Sequence, residues 1–172
     1  MSEFLLATFR HTPPAVWGGL AAIVALGANQ LRTRQVSAQR VVLVPVLLAA
    51  YSLWAACAAF WHAGPALLLA CWAVGFALGW GANRVLALPR GVTVVGDGFR
   101  VEGSVVPLLL MLSVFAGRYV NGVALALDPA RAARPGYVMV ATLVFALPAG
   151  IYAARGRRTW AARRIPVAAL PA

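Results

Sequence analysis

The sequence predicts an all-α membrane protein of five spanning helices, with a small β-hairpin on one side. Five long apolar segments fill most of the 172 residues, and the arginines fall almost wholly on one set of the loops between them. Apolar residues make up 62% of the chain and charged residues 11%, with a mean hydropathy of +0.82. A soluble domain of this size needs far more polar surface than that.

The helices are placed at about 14–31, 41–61, 66–83, 104–127 and 137–154. Roughly 20 mostly apolar residues cross a hydrocarbon core of about 30 Å. The second and fourth segments are long enough outright; the others stand nearly upright or borrow flanking residues. The first follows Pro13-Pro14 and ends Gly27-Ala28-Asn29. The second opens Val44-Pro45-Val46 and the fourth Val106-Pro107-Leu108, which places both prolines in first helical turns, where a missing N–H costs little. The third follows the tight turn His62-Ala63-Gly64-Pro65 and ends Gly81-Ala82-Asn83. Within the fifth, Pro148 removes the partner of the Val144 carbonyl and predicts a kink. Between the third and fourth, Val92–Val95 and Phe99–Glu102 flank Gly96-Asp97-Gly98, where Asp-Gly supplies the positive φ of a tight turn. Two strands alone are marginal in water, so the hairpin is expected to rest on the membrane surface or on helix ends.

The shared Gly-Ala-Asn exits and Val-Pro openings suggest an internal repeat. The single membrane domain, 1–172, then divides into two parallel helical hairpins, 14–61 and 66–127, plus a fifth helix.

All fifteen basic residues are Arg. Eleven lie on one side of the predicted helices, in 32–40, 84–103 and the tail; three lie on the other, and Arg118 sits inside the fourth helix. Basic residues mark the cytoplasmic side, so the N-terminus is expected outside and the C-terminus in the cytoplasm. Arg10, His11 and the apolar run after them could be a signal peptide cleaved near Ala25-Leu26-Gly27. Cleavage would leave Arg32, Arg34 and Arg40 outside, so the segment is read as a retained helix. The abundance of Ala, Gly, Pro and Arg, all with GC-rich codons, points to a bacterial source and hence to the inner membrane. The net charge of +11 forms no continuous face and is read as topology and contact with anionic lipid rather than nucleic-acid binding.

Arg118 is the most unusual residue. It lies about 21 Å along its helix from Ser104 and about 13 Å from the outer end, at 1.5 Å per residue. A charge so deep costs at least ~2.5 kcal/mol unless paired or wet. The four acidic residues, Glu3, Asp97, Glu102 and Asp128, all lie outside the helix interiors. In one reading Arg118, with Tyr119 and Asn121, forms an anion or lipid-headgroup site. In the other the side chain snorkels to the outer headgroups, and its length favours this.

Cys57 and Cys71 fall at similar depth near the outer face. They support an alternative reading as a membrane thiol–disulfide oxidoreductase; against it, there is no CxxC, and small apolar packing explains both. His11 and His62 match no metal-ligand spacing, so no metal site is expected. There is no P-loop, GxSxG or HExxH, and no cofactor is implied. The tail residues Arg155, Arg157, Arg158, Trp160, Arg163 and Arg164 suit an anionic leaflet. Gly75 and Gly79 form a GxxxG pattern that permits close helix packing, within the chain or against a second copy or another membrane protein. The leading reading is a non-catalytic protein, either an accessory subunit or a small transporter-like module.

Several segments carry a resemblance: His11-Thr12-Pro13-Pro14-Ala15-Val16-Trp17-Gly18, Gln30-Leu31-Arg32, Gly103-Ser104-Val105-Val106-Pro107-Leu108 and Arg118-Tyr119-Val120. Together they resemble a domain-of-unknown-function family of small bacterial inner-membrane proteins. The resemblance implies a multi-helix membrane fold and lends no activity.

Overall fold

The computed structural model describes residues 12–83 and 92–162. It contains five helices long and apolar enough to cross a membrane: α1 Pro14–Ala28, α2 Ala38–Phe60, α3 Pro65–Ala82, α4 Val106–Leu127 and α5 Pro135–Ala161. Short 3₁₀ turns at Asn29–Leu31, Trp61–Ala63 and Pro129–Ala133 extend the helix ends. Arg163 and Arg164 of the tail, and Arg10, Arg84 and Arg90 of the charge count, lie outside the described residues.

The helix α5 is the central mast. In its most apolar window 56% of residues are buried inside the protein, against at most 22% for any other helix. It packs most extensively on α3 and next on α2, while α1 leans on α4. Glycines set the α3–α5 crossing. A Cβ on Gly75 would lie 2.7 Å from the Leu143 carbonyl oxygen, and one on Gly79 would collide with the Leu147 carbonyl. From the other side, Gly150 meets the Phe76 carbonyl. Backbones that approach this closely gain dispersion and leave no room for side chains, which is how helices associate where lipid removes the hydrophobic drive. The GxxxG pair is thus covered within the chain.

The fifth helix runs seven residues past its expected end, through Arg155–Trp160, because Arg is a good helix former and only the bilayer, not the backbone, objects to its charge. Helix α2 starts at Ala38, three residues early, which puts Pro45 in its interior rather than its first turn. Pro45 cannot bond the Val41 carbonyl. Here α5 crosses, with the Cβ position of Gly156 only 2.8 Å from the Val41 oxygen.

The expected hairpin is part of a three-stranded antiparallel sheet. Strands β1 Arg34–Ser37, β2 Val92–Val95 and β3 Gly98–Val101 lie in the order β1-β3-β2. The loop between α1 and α2 supplies the third strand that a lone hairpin lacks. The turn is Gly96-Asp97, with positive φ (55°) at Gly96, the first central position, as in a type II′ turn; Gly98 is already in the strand. One sheet face carries the row Val36–Phe99–Val94. Phe99 is fully buried and its ring meets Trp160 of α5 at 6.3 Å. The sheet therefore caps one end of the bundle. Near it, Ser104 N–H donates to the Gln30 carbonyl (3.0 Å) and the Tyr152 hydroxyl to the Pro107 carbonyl (3.1 Å), tying α4 to α1 and to α5.

Phe99→Ala should release this cap. Truncating a fully buried Phe costs about 3–5 kcal/mol, and Phe99 is the sheet's fully buried contact with α5. Hydrogen exchange at 34–37 and 92–101 should become fast while the helices stay protected. Thr93→Ala, on the exposed opposite face, should change nothing.

Candidate functional site

Arg118 lies twelve residues into α4, about 18 Å along a helix of roughly 33 Å. Helical side chains lean toward the N-terminus of their own helix. Arg118 therefore reaches back toward Ser113 and Val114, away from the nearer end of α4. With them it lines a groove shared with Leu48, Tyr51 and Ser52 of α2 and Val144, Phe145 and Pro148 of α5. Its guanidinium carbon sits 5.1 Å from the centre of the Tyr51 ring and 4.9 Å from that of Phe145. Two ring faces thus stabilise the cation, each by ~0.5–2 kcal/mol, the more so where water is excluded. The snorkelling expectation is corrected here: the side chain enters the bundle, because the backward lean and the two rings outweigh the reach to the outer headgroups.

Among the described residues no carboxylate pairs with this charge. Nη2 of Arg118 is buried and has no hydrogen-bond partner. No carboxylate lines the groove. Asp128, at the far end of α4, is held by Arg131 at 3.3 Å and Arg134 at 3.1 Å. The two groove serines donate elsewhere. Ser52 Oγ donates to the Phe145 carbonyl (3.0 Å) and accepts from Trp72 Nε1 (3.0 Å), which locks α2, α3 and α5 together. Ser113 donates to the Leu110 carbonyl of its own helix at 2.8 Å. Pro148 leaves the Val144 carbonyl without its helical donor on the same wall. With both serines engaged, the guanidinium of Arg118 supplies the charged hydrogen-bond donors of the groove. The arrangement can bind and orient an anion by charge and N–H donation.

The other residues expected near Arg118 are drawn apart. Asn121 accepts from the Tyr137 hydroxyl at 2.9 Å, bridging α4 to α5. The Tyr119 hydroxyl pairs with Thr12 at 2.8 Å, and its ring stacks on Phe115. Tyr119 points about 100° away from Arg118 around the helix, while Asn121, at i+3 on the same face, is engaged by Tyr137. The sequence reading missed Tyr51, Phe145, Ser52 and Ser113. An aromatic or serine inside an apolar helix reads as packing, and only the tertiary crossing places these residues around the guanidinium.

Cys57 and Cys71 are free thiols, the first half-buried and the second buried. Among the described residues no group of His, Cys, Asp and Glu could hold a metal ion. Of the basic tail, Arg155 is buried rather than at a lipid surface, and its Nη1 lacks a partner. Arg157 lies over the Trp80 ring at 5.3 Å, Arg158 is half-buried, and Trp160 supports Phe99.

A family model described as "Family of unknown function (DUF6622)" matches residues 2–168, nearly the whole chain. The chain belongs to that family. The DUF6622 match spans all five helices and the sheet, so the groove around Arg118 lies wholly within it. No curated protein and no solved structure matches the chain.

Proposed function

We propose that this membrane protein works without catalysis, by holding an anionic group at Arg118 inside the bundle. It would do so as an accessory subunit or a small transporter-like module. The observation that carries the reading is the buried, unpaired Nη2 of a guanidinium held between two aromatic rings, in a groove with no carboxylate. An ionised group in hydrocarbon is costly, and a site that retains one marks a ligand or ion path. An anion bound there would recover part of that cost through charge-assisted hydrogen bonds. Protein purified in mild detergent should carry an anionic compound, detected by mass spectrometry of an organic extract. Arg118→Leu, purified in parallel, should have lost it. Equal recovery from both proteins would remove the reading.

The location proposed is the inner membrane of a bacterium, with the sheet-capped end in the cytoplasm. Support comes from the eleven-to-three arginine bias, since basic residues are retained on that side. A reporter active only in the periplasm should be silent when fused after Ala172 and active when fused after Pro129. The opposite pair would reverse the orientation.

A further inference from the structure

We infer that the occupant of the Arg118 groove is a long-chain carboxylate, the fatty-acid class of amphiphile, which enters sideways from the bilayer. The inference rests on the anion-site reading above and narrows it. Size is the first argument. The cavity holds about 20 Å³, room for about one water-sized group. A ligand larger than that is only partly enclosed, so its body lies outside. The second argument is what lies outside. Tyr51 and Val144, on two walls of the groove, are 50% and 46% exposed, and Ser113 is exposed as well. All three stand in the middle of spanning helices, so this opening faces lipid tails. Half-buried Leu48 and Val114 extend this apolar surface, on which an alkyl chain can lie, with buried Pro148 and Ala149 behind it.

Depth is the third argument. Arg118 lies near the middle of α4 and leans toward its N-terminus, away from the nearer membrane surface. A phosphodiester carries substituents on both sides of its phosphate, and both would have to follow it to that depth. A carboxylate ends a single chain and arrives alone. It also matches the planar fork of the guanidinium, which two carboxylate oxygens accept in parallel.

The test uses the full chain in vesicles of uncharged phosphatidylcholine, with a diazirine-bearing stearate as probe. After illumination, mass spectrometry should place the label on groove segments of α2, α4 and α5. Oleate should compete for it saturably; acetate, inorganic phosphate and phosphatidylglycerol at the same concentration should not. Arg118→Leu, and Arg118→Gln as a second folded variant checked by circular dichroism, should each lose at least tenfold of the labelling. Competition by phosphatidylglycerol or phosphate as strong as that by oleate overturns the carboxylate class and leaves the anion site standing. Labelling that is absent, or equal in wild type and both variants, overturns the inference; the anion site is then judged separately, by whether the wild-type extract holds an Arg118-dependent anion.

Discussion

Gly79→Leu should leave little folded protein. The Cβ of any side chain at this position falls on the Leu147 carbonyl, and the Ile151 nitrogen is 3.2 Å away. These are backbone atoms in the middle of α5, so no rotamer change can make room. Helices α3 and α5 would have to part along the most extensive contact in the molecule, at Gly75, Gly79 and Gly150 together. Overpacking of a tight core costs about 1–3 kcal/mol when neighbours can yield; here they cannot, and even Gly79→Ala should destabilise clearly. Gly81→Ala supplies the control on the same helix. Nothing lies within 4 Å of its Cβ position. Replacing Gly by Ala there should be neutral or stabilise by up to about 1 kcal/mol through helix propensity. Size-exclusion profiles and thermal melts in detergent would show it: Gly81→Ala like wild type, Gly79→Leu aggregated or absent. A well-folded Gly79→Leu would mean that α3 and α5 do not cross as described.

Much of this architecture was legible in the sequence, for a physical reason. Long apolar runs must cross a bilayer whole, so the number and spacing of the helices can be read without tertiary knowledge. Which helix is central could not be read. In lipid, the face of a helix that meets protein is no more apolar than the face that meets acyl chains, so amphipathic periodicity vanishes. The available signal was smallness. Ala146, Ala149, Gly150 and Ala154 of α5, all buried, mark the mast, and Gly75 and Gly79 mark its partner. Strand β1 escaped notice because Arg34-Gln35-Val36-Ser37 is short and polar and gains its conformation from β3, more than sixty residues away. At the site, Arg118 stood out because an ionisable residue is anomalous in any apolar helix. Its surroundings did not, since Tyr51 and Phe145 meet it only through the crossing of α2, α4 and α5.

Arg118→Leu should preserve the fold and abolish anion binding. Removing an uncompensated charge from mid-helix relieves about 2.5–3.5 kcal/mol. The loss of two cation–π contacts, at ~0.5–2 kcal/mol each, largely offsets that gain. Stability without ligand should therefore change little. Binding should weaken at least tenfold, since charge-assisted hydrogen bonds contribute about 1.5–3 kcal/mol and 1.4 kcal/mol is a factor of ten. Arg118→Lys should fall between, keeping the charge but losing the planar fork that stacks on the rings.

Ligand-dependent thermal stability reads this claim most directly. Wild type, Arg118→Lys and Arg118→Leu would be melted in uncharged detergent, each alone and with oleate, phosphatidylglycerol or inorganic phosphate. A ligand at one hundred times its dissociation constant stabilises a protein by about 2.7 kcal/mol. The prediction is a rise of several degrees for wild type with at least one anion, a smaller rise for Arg118→Lys and none for Arg118→Leu. If no anion shifts the wild-type melt, or if Arg118→Leu shifts as far as wild type, the guanidinium between Tyr51 and Phe145 is not an anion site.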